Sequence, residues 1–356
     1  MMELKEVVTK LEKSKIKAGD GKKEGKYPLY TCSPTVDKFC DEYLYDTEAI
    51  ILSTGGNAVV NYYNGKFSYS TDCLVIQSDK NLKCKYMYYY LLSKIDIICK
   101  MFRGVGIKHL NKNEFFKLDI SIIDKEKQNK IISNLDIVNT IIELKRVQLK
   151  EYDNIIKSQF VEMFGDPVFN NLNWNELKMS ELGRLERGTS KHRPRNAPEL
   201  LGGIYPLIQT GDVSNSGLYI TEYKSTYSEL GLKQSKMWSK DTLCITIAAN
   251  IAQTSILTFD ACFPDSVVGF ITNGKVNNIF MHYWFEFLQK IIDSQATQVA
   301  QKNINLKILN DLDVIVPPIE LQNQFSEFVK QIDKQKFESE IELRKIQKNI
   351  FYKWGR

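Results

Sequence analysis

From Ile131 onward the apolar positions advance in steps of four and three: Ile131, Leu135, Val138, Ile142, Leu149 and Ile156, with Lys145 and Tyr152 filling the polar places. The same steps reach Gln159 and Met163. A spacing of 3.5 residues held this long predicts a helix whose seam faces another helix, rather than one lying on a broad core. The phase returns 194 positions later (Gln322 minus Gln128) at Phe325, Val329, Ile332, Leu343, Ile346 and Ile350, with Lys336 and Ser339 in mid-seam. "IIDKEKQ" and "VPPIELQ" open the two helices, where proline is tolerated, and "FGDP" (Phe164 to Pro167) stops the first with Gly and then Pro. About 38 residues make such a helix roughly 57 Å long.

Ahead of each helix the pattern changes to short β-rich runs broken by Gly, Asn, Asp and Pro. "AIILST", "FSYSTDCLVIQ", "TLCITIAA" and "DSVVGFIT" read as strands, while "KYMYYYLLSKIDIICKMF" and "NNIFMHYWFEFLQKIID" read as buried helices in equivalent places. The order repeats. "ELK" at Glu3 matches "ELK" at Glu176, "YPL" at Tyr27 matches "YPL" at Tyr205, and Thr54 in "LSTGGNA" pairs with Thr246 in "CITIAAN". From Lys108 and Lys302 the offset stays constant to the end, so the chain reads as a tandem duplication with loop insertions in the second copy. The expected fold is α+β: β-rich domains at 1–122 and 167–316 alternate with helices at 123–166 and 317–356, which pair as an antiparallel coiled coil with approximate two-fold symmetry. The antiparallel sense is inferred from the linked duplication; the heptads do not state it.

Composition changes this picture little. A net charge of +5 over 356 residues permits a nucleic-acid partner without requiring one, so the distribution of charge decides. Seven cysteines, an odd number without a C-x-x-C pair, read as scattered reduced thiols. "MMELKEVVTKLEKSK" lacks the apolar stretch of a secretory signal, and no apolar run approaches about 20 residues. The expectation is a soluble, cytoplasmic protein without membrane contact.

Catalytic constellations are missing from the sequence. There is no phosphate-binding G-x-x-x-x-G-K-[ST] loop, and the histidines His109, His192 and His282 are too dispersed for a metal cluster or triad. His282, inside an aromatic helix, reads as a core residue. Asp265 in "FPDSVVGF" has no following E-x-K on a strand to make a nuclease metal site, and no N/D-P-P-Y/F tetrapeptide suggests methyl transfer. The chain is therefore expected to be no enzyme and to bind no metal.

Cationic and amide groups recur instead at matching places. Lys15, Lys17, Lys22 and Lys23 lie between the first segment and "YPL" in copy one; Arg187, Lys191, Arg193 and Arg195 lie there in copy two. A solvated charged loop explains either run alone; the recurrence points to an anionic partner, since guanidinium groups pair with phosphates and guanine edges. Just before each long helix stand Arg103, Lys108 and His109 in "RGVGIKHLN", and Lys302 and Asn303 in "VAQKNIN", as DNA contacts or as caps of the next segment. Thr54 and Asn57, with Asn250 in copy two, offer hydroxyl and amide groups to phosphates, or simply close β-turns.

The order of variable domain, heptad helix, variable domain, heptad helix resembles the specificity subunits of type I restriction–modification systems. "PPIELQNQF", "QTGDV" (Gln209 to Val213) and "QKNINLKILNDLDVIVPP" strengthen the resemblance, which covers essentially the whole chain. Copy one departs from it, lacking the Pro-Pro and an equivalent of Trp174. The resemblance implies two target recognition domains, each reading half of a split site in double-stranded DNA. It also implies a coiled coil that sets their spacing and docks two methyltransferase subunits, with restriction/translocase subunits joining. S-adenosylmethionine is then expected on those partners, with no cofactor on this chain. The competing reading is a coiled-coil protein-interaction scaffold without sequence-specific DNA binding.

Overall fold

In the run "AIILS" every side chain is buried, because the strand Tyr45–Ser53 is covered on both faces. Successive side chains point to opposite sides of a strand. Ile50 and Leu52 enter one apolar cluster with Ile76 and the helix Cys84–Ser93, while Ala49 and Ile51 enter another with Val75, Phe67 and Tyr69. A computed structural model describes residues 2–248, 252–287 and 304–354, with side chains to residue 347. The chain divides into two compact units, Met1–Gln148 with Ser339–Arg356, and Leu149–Glu338.

In the first unit Tyr45–Ser53 pairs antiparallel with both Val60–Tyr69 and Cys73–Ser78. Val8–Lys10 lies outside Cys73–Ser78; Tyr27–Tyr30 and then Phe39–Cys40 complete a six-stranded sheet on the other side. "FSYSTDCLVIQ" is thus two strands, separated by a turn at Ser70–Asp72. The aromatic run "KYMYYYLLSKIDIICKMF" is likewise two helices, Cys84–Ser93 and Ile95–Lys100.

The second unit repeats the arrangement with insertions. Leu243–Thr246 pairs with Val267–Thr272 and Thr254–Leu257. Gly183–Arg187 and Tyr219–Ile220 complete a five-stranded sheet. Leu201–Leu207 anchors a separate four-stranded sheet with Ser225–Tyr227, Ala261–Cys262 and Met237–Trp238. The single strand Val60–Tyr69 of the first unit corresponds here to two pieces, Thr254–Leu257 and Ala261–Cys262, divided between the sheets. The helix Asn278–Phe285 follows; the rest of the predicted aromatic helix runs past residue 287, outside the described residues.

The strand registers refine the repeat. Leu29 pairs with Ser68 as Leu207 pairs with Cys262, so the two "YPL" strands are equivalent. The two "ELK" tripeptides are not. Leu4 donates its N–H to Leu118 O, and Met179 donates to Leu312 O, which sets Leu4 against Met179 rather than Leu177. Both are fully buried, as are Val7 and Leu182 three positions on. A slip of two positions keeps every side chain on the same face of a strand, so pattern matching is blind to it. The pairing of Thr54 with Thr246 is also off, by one: Ser53 faces Cys73 as Thr246 faces Val267.

Two long helices, Lys125–Phe164 and Ile319–Trp354, belong partly to each unit. Leu135, Ile142 and Ile156 are buried, and Ile131, Val138 and Leu149 are half-buried. In the second helix Phe325 and Val329 are buried, Ile332, Leu343 and Ile346 are half-buried, and the Ile350 side chain lies outside the described residues. Within the second unit Phe160 and Phe164 meet the Phe325 ring edge-on at 5.5 and 5.4 Å, and Lys336 Nζ lies 2.6 Å from Asp153. Within the first, Lys145 Nζ lies 2.7 Å from Glu342. The first helix ends at Gly165, whose φ of +75° favours glycine, and Trp174 Nε1 donates to Phe164 O at 2.9 Å.

Candidate nucleic-acid interface

In the first unit the strands Tyr45–Ser53 and Cys73–Ser78 expose one common end, and three separate loops converge there. Thr71 N–H donates to Ile16 O at 2.8 Å, which brings in the loop carrying Lys15 and Lys17. Thr54 donates through both its N–H and its hydroxyl to Asp72 O, each at 2.8 Å. Gly56 N–H donates to Lys108 O at 2.9 Å, and Leu110 N–H donates to Thr54 O at 3.0 Å. Residues far apart in sequence (Lys15, Lys17, Thr54, Asn57, Lys108 and His109) thereby share one sheet end.

Among the described residues no carboxylate pairs with the side chains of Lys15, Lys17, Lys23, Lys108, Arg187 or Lys191. Lys22 is different: it pairs with Asp41 at 2.6 Å beside the edge strand Phe39–Cys40. Arg103 also has a partner, Glu114, at 2.8 Å. The Thr54 hydroxyl is already donated to the backbone, so its remaining capacity is as an acceptor. Asn57 is exposed.

The second unit builds the corresponding end differently. Ile247 N–H donates to Ser266 O, and Gly188 and Thr189 N–H donate to Val267 O and Phe263 O, which carries the basic loop to this end of the sheet. Gln234 Oε1 accepts from Lys191 N–H at 2.7 Å and His192 N–H at 3.1 Å, shaping the loop from outside. Asp265 takes Arg195 at 2.5 Å and Arg193 at 3.8 Å. Asp265 is thus an orienting carboxylate for guanidinium groups, a role sequence reading did not supply because the residues are about 70 positions apart. Arg187 stays exposed at the end of its strand.

Thr246 is no surface donor. It is fully buried, and its hydroxyl and backbone close the turn against Gln253, as Ser53 does against Val59. His282 is a core residue: it accepts or donates at Nδ1 to the Thr254 hydroxyl at 2.9 Å, and burial pushes its pKa down to about 4. No cluster of His, Cys, Asp or Glu able to hold a metal occurs among the described residues. No described helix is long and apolar enough to cross a membrane. Asn250, Lys302 and Asn303 lie outside the described residues.

These surfaces offer what a polyanion requires: lysines without a carboxylate partner, and guanidinium groups preset by a carboxylate. Comparison with known proteins gives a consistent answer. The family model of the type I restriction modification DNA specificity domain matches residues 1–152 and 171–348. The specificity subunit of the type I restriction enzyme EcoDI from Escherichia coli is 23% identical over 363 residues, covering 93% of this chain and 80% of that protein. The specificity subunit of the Mycoplasma pneumoniae enzyme MpnII is 31% identical over 167 residues, covering 42% and 49%. In fold, the chain is similar to a type I restriction–modification S subunit from M. genitalium, with a TM-score of 0.58 at 15% identity, covering 99% and 94% of the two chains. A chain from a study of the assembly and conformational transition of a type I system gives 0.57 at 16% identity, covering 88% and 83%.

Proposed function

The chain belongs to the type I restriction modification DNA specificity family, and from that membership we propose that each globular domain reads one half of a split, asymmetric DNA site. The observation carrying this is the repeated sheet end: two copies of one scaffold present unlike basic loops at the same structural position. Unlike loops on like scaffolds read unlike half-sites. Linking the two readers makes the second contact intramolecular, so modest half-site affinities multiply.

The two long helices act as the spacer, pairing antiparallel as a coiled coil. Support comes from the ion pairs. Passing from Lys145 to Asp153 along the first helix goes with passing back from Glu342 to Lys336 along the second. Half-sites about 34 Å apart, one turn of duplex, suit such a ruler.

The same helices dock methyltransferase subunits. The first leaves Ile137, Leu144 and Val147 exposed by 59%, 63% and 57%, a helical spacing of apolar side chains turned to solvent. This chain is non-catalytic; S-adenosylmethionine binds the methyltransferase partners, and restriction/translocase subunits complete the complex.

The test is to map modified bases in the host genome with and without this gene. A two-part methylated motif that disappears on deletion supports the reading. An unchanged pattern of modification overturns it.

A further inference from the structure

The most exposed large apolar side chains of the first unit sit on its candidate DNA surface. Phe102–Arg103 and His109–Leu110 form a short two-stranded ribbon, and its tip carries Val105 and Ile107, 108% and 72% exposed. Gly104 and Gly106, with φ of +144° and +89°, flank Val105 and let the ribbon turn this sharply; an added Cβ at Gly104 would sit 3.0 Å from Ile107 O.

A single exposed valine needs no explanation. Here two branched aliphatic groups project together from a ribbon whose base is cationic. Lys108 and His109 follow Ile107 directly, and Gly55 and Gly56 of the Thr54 loop pack alongside, through the Gly56 N–H to Lys108 O bond and the Gly55–His109 bridge. An apolar tip inside a cationic, amide-rich rim matches a polyanion that carries apolar groups within a groove.

We propose that this ribbon enters the major groove of the half-site read by the first domain, and that Val105 and Ile107 contact the C5-methyl group of thymine. The inference rests on the DNA-reading function proposed above. The groove follows from size: the major groove, about 12 Å wide, admits a two-stranded ribbon, whereas the minor groove is about 6 Å wide. The base follows from chemistry, because the thymine methyl is the apolar feature that base pairs present in that groove. Val105 and Ile107 are then specificity-determining residues, while Lys108 holds phosphate.

The test uses the chain assembled with its methyltransferase subunits and duplexes carrying the mapped site, with each thymine replaced singly by deoxyuridine. Removing one contacted methyl is expected to weaken binding about fourfold at one or more positions of one half-site, by loss of roughly a methylene's worth of apolar burial. In Val105→Ser and Ile107→Ser, both at solvent-exposed positions, deoxyuridine at those positions should make no further difference, with the salt dependence unchanged. If the complex selects its site yet no thymine methyl matters, or the sensitivity survives in both variants, the thymine contact is wrong while the DNA-reading function stands. If it shows no preference for the site, both fall.

Discussion

Gln128 and Gln322, 194 positions apart, make the same three hydrogen bonds. Gln128 Oε1 accepts from Lys83 N–H at 2.8 Å, and its Nε2 donates to Asn81 O at 3.0 Å and Ile123 O at 2.7 Å. Gln322 Oε1 accepts from Asn277 N–H at 3.0 Å, and its Nε2 donates to Lys275 O at 3.1 Å and Pro317 O at 2.8 Å. Both side chains are fully buried. Each amide ties the start of a long helix to the loop that opens the short helix of its own globular domain.

Replacing Gln128 with Ala leaves one N–H and two carbonyls without their side-chain partner in a partly buried site. The expected cost is about 1–3 kcal/mol of stability, because buried polar groups lose their partners. Amide hydrogen exchange localises the effect: Lys83 N–H should lose protection in Gln128→Ala, and Asn277 N–H in Gln322→Ala. Unchanged protection at these amides would mean that the glutamines hold nothing.

The helix pairing is tested by charge exchange. Lys145→Glu alone should destabilise, and adding Glu342→Lys should recover the loss, the coupling being small for so exposed a pair. A double-mutant cycle from urea unfolding reads it. No coupling in this pair or in Asp153–Lys336 would remove the antiparallel contact.

His282 gives a pH prediction. Its folded pKa is held near 4 by burial, below its ordinary 6.5. The unfolded chain therefore binds the extra proton first. The stabilising contribution is complete above about pH 6.5 and is lost as pH falls toward 4, up to roughly 3 kcal/mol. Unfolding of the second unit followed between pH 7 and pH 4 should show this slope, and His282→Gln should flatten it. An identical slope in the variant would contradict the assignment.

Lys15, Lys17 and Lys108 are expected to touch phosphates. Each change to Ala should weaken binding about equally for all sequences and lower the slope of log affinity against log salt by about 1. A variant that instead changes which base is preferred would make that lysine a base reader.

Much of this was legible in the sequence because the duplication was. The Gln128/Gln322 pair and the heptad phase were visible as repeated text. Errors arose where identity and geometry part. "ELK" matched "ELK" although the strands align two positions away, and Thr54 was matched to Thr246 although Ser53 fills that turn. Phe160 and Phe164, the aromatic anchors on Phe325, lie one position beyond Gln159 and Met163, where the four-and-three spacing places the seam. The carboxylates that hold Arg103, Arg193 and Arg195 were invisible, because only folding brings Glu114 and Asp265 to them.

Exchange of residues 167–316 for the equivalent domain of a relative, followed by sequencing of methylated sites in cells, bears most directly on the division of labour. One half of the modified motif should change while the other half and the spacer stay the same. Change in both halves, or in neither, contradicts a chain built of two independent readers.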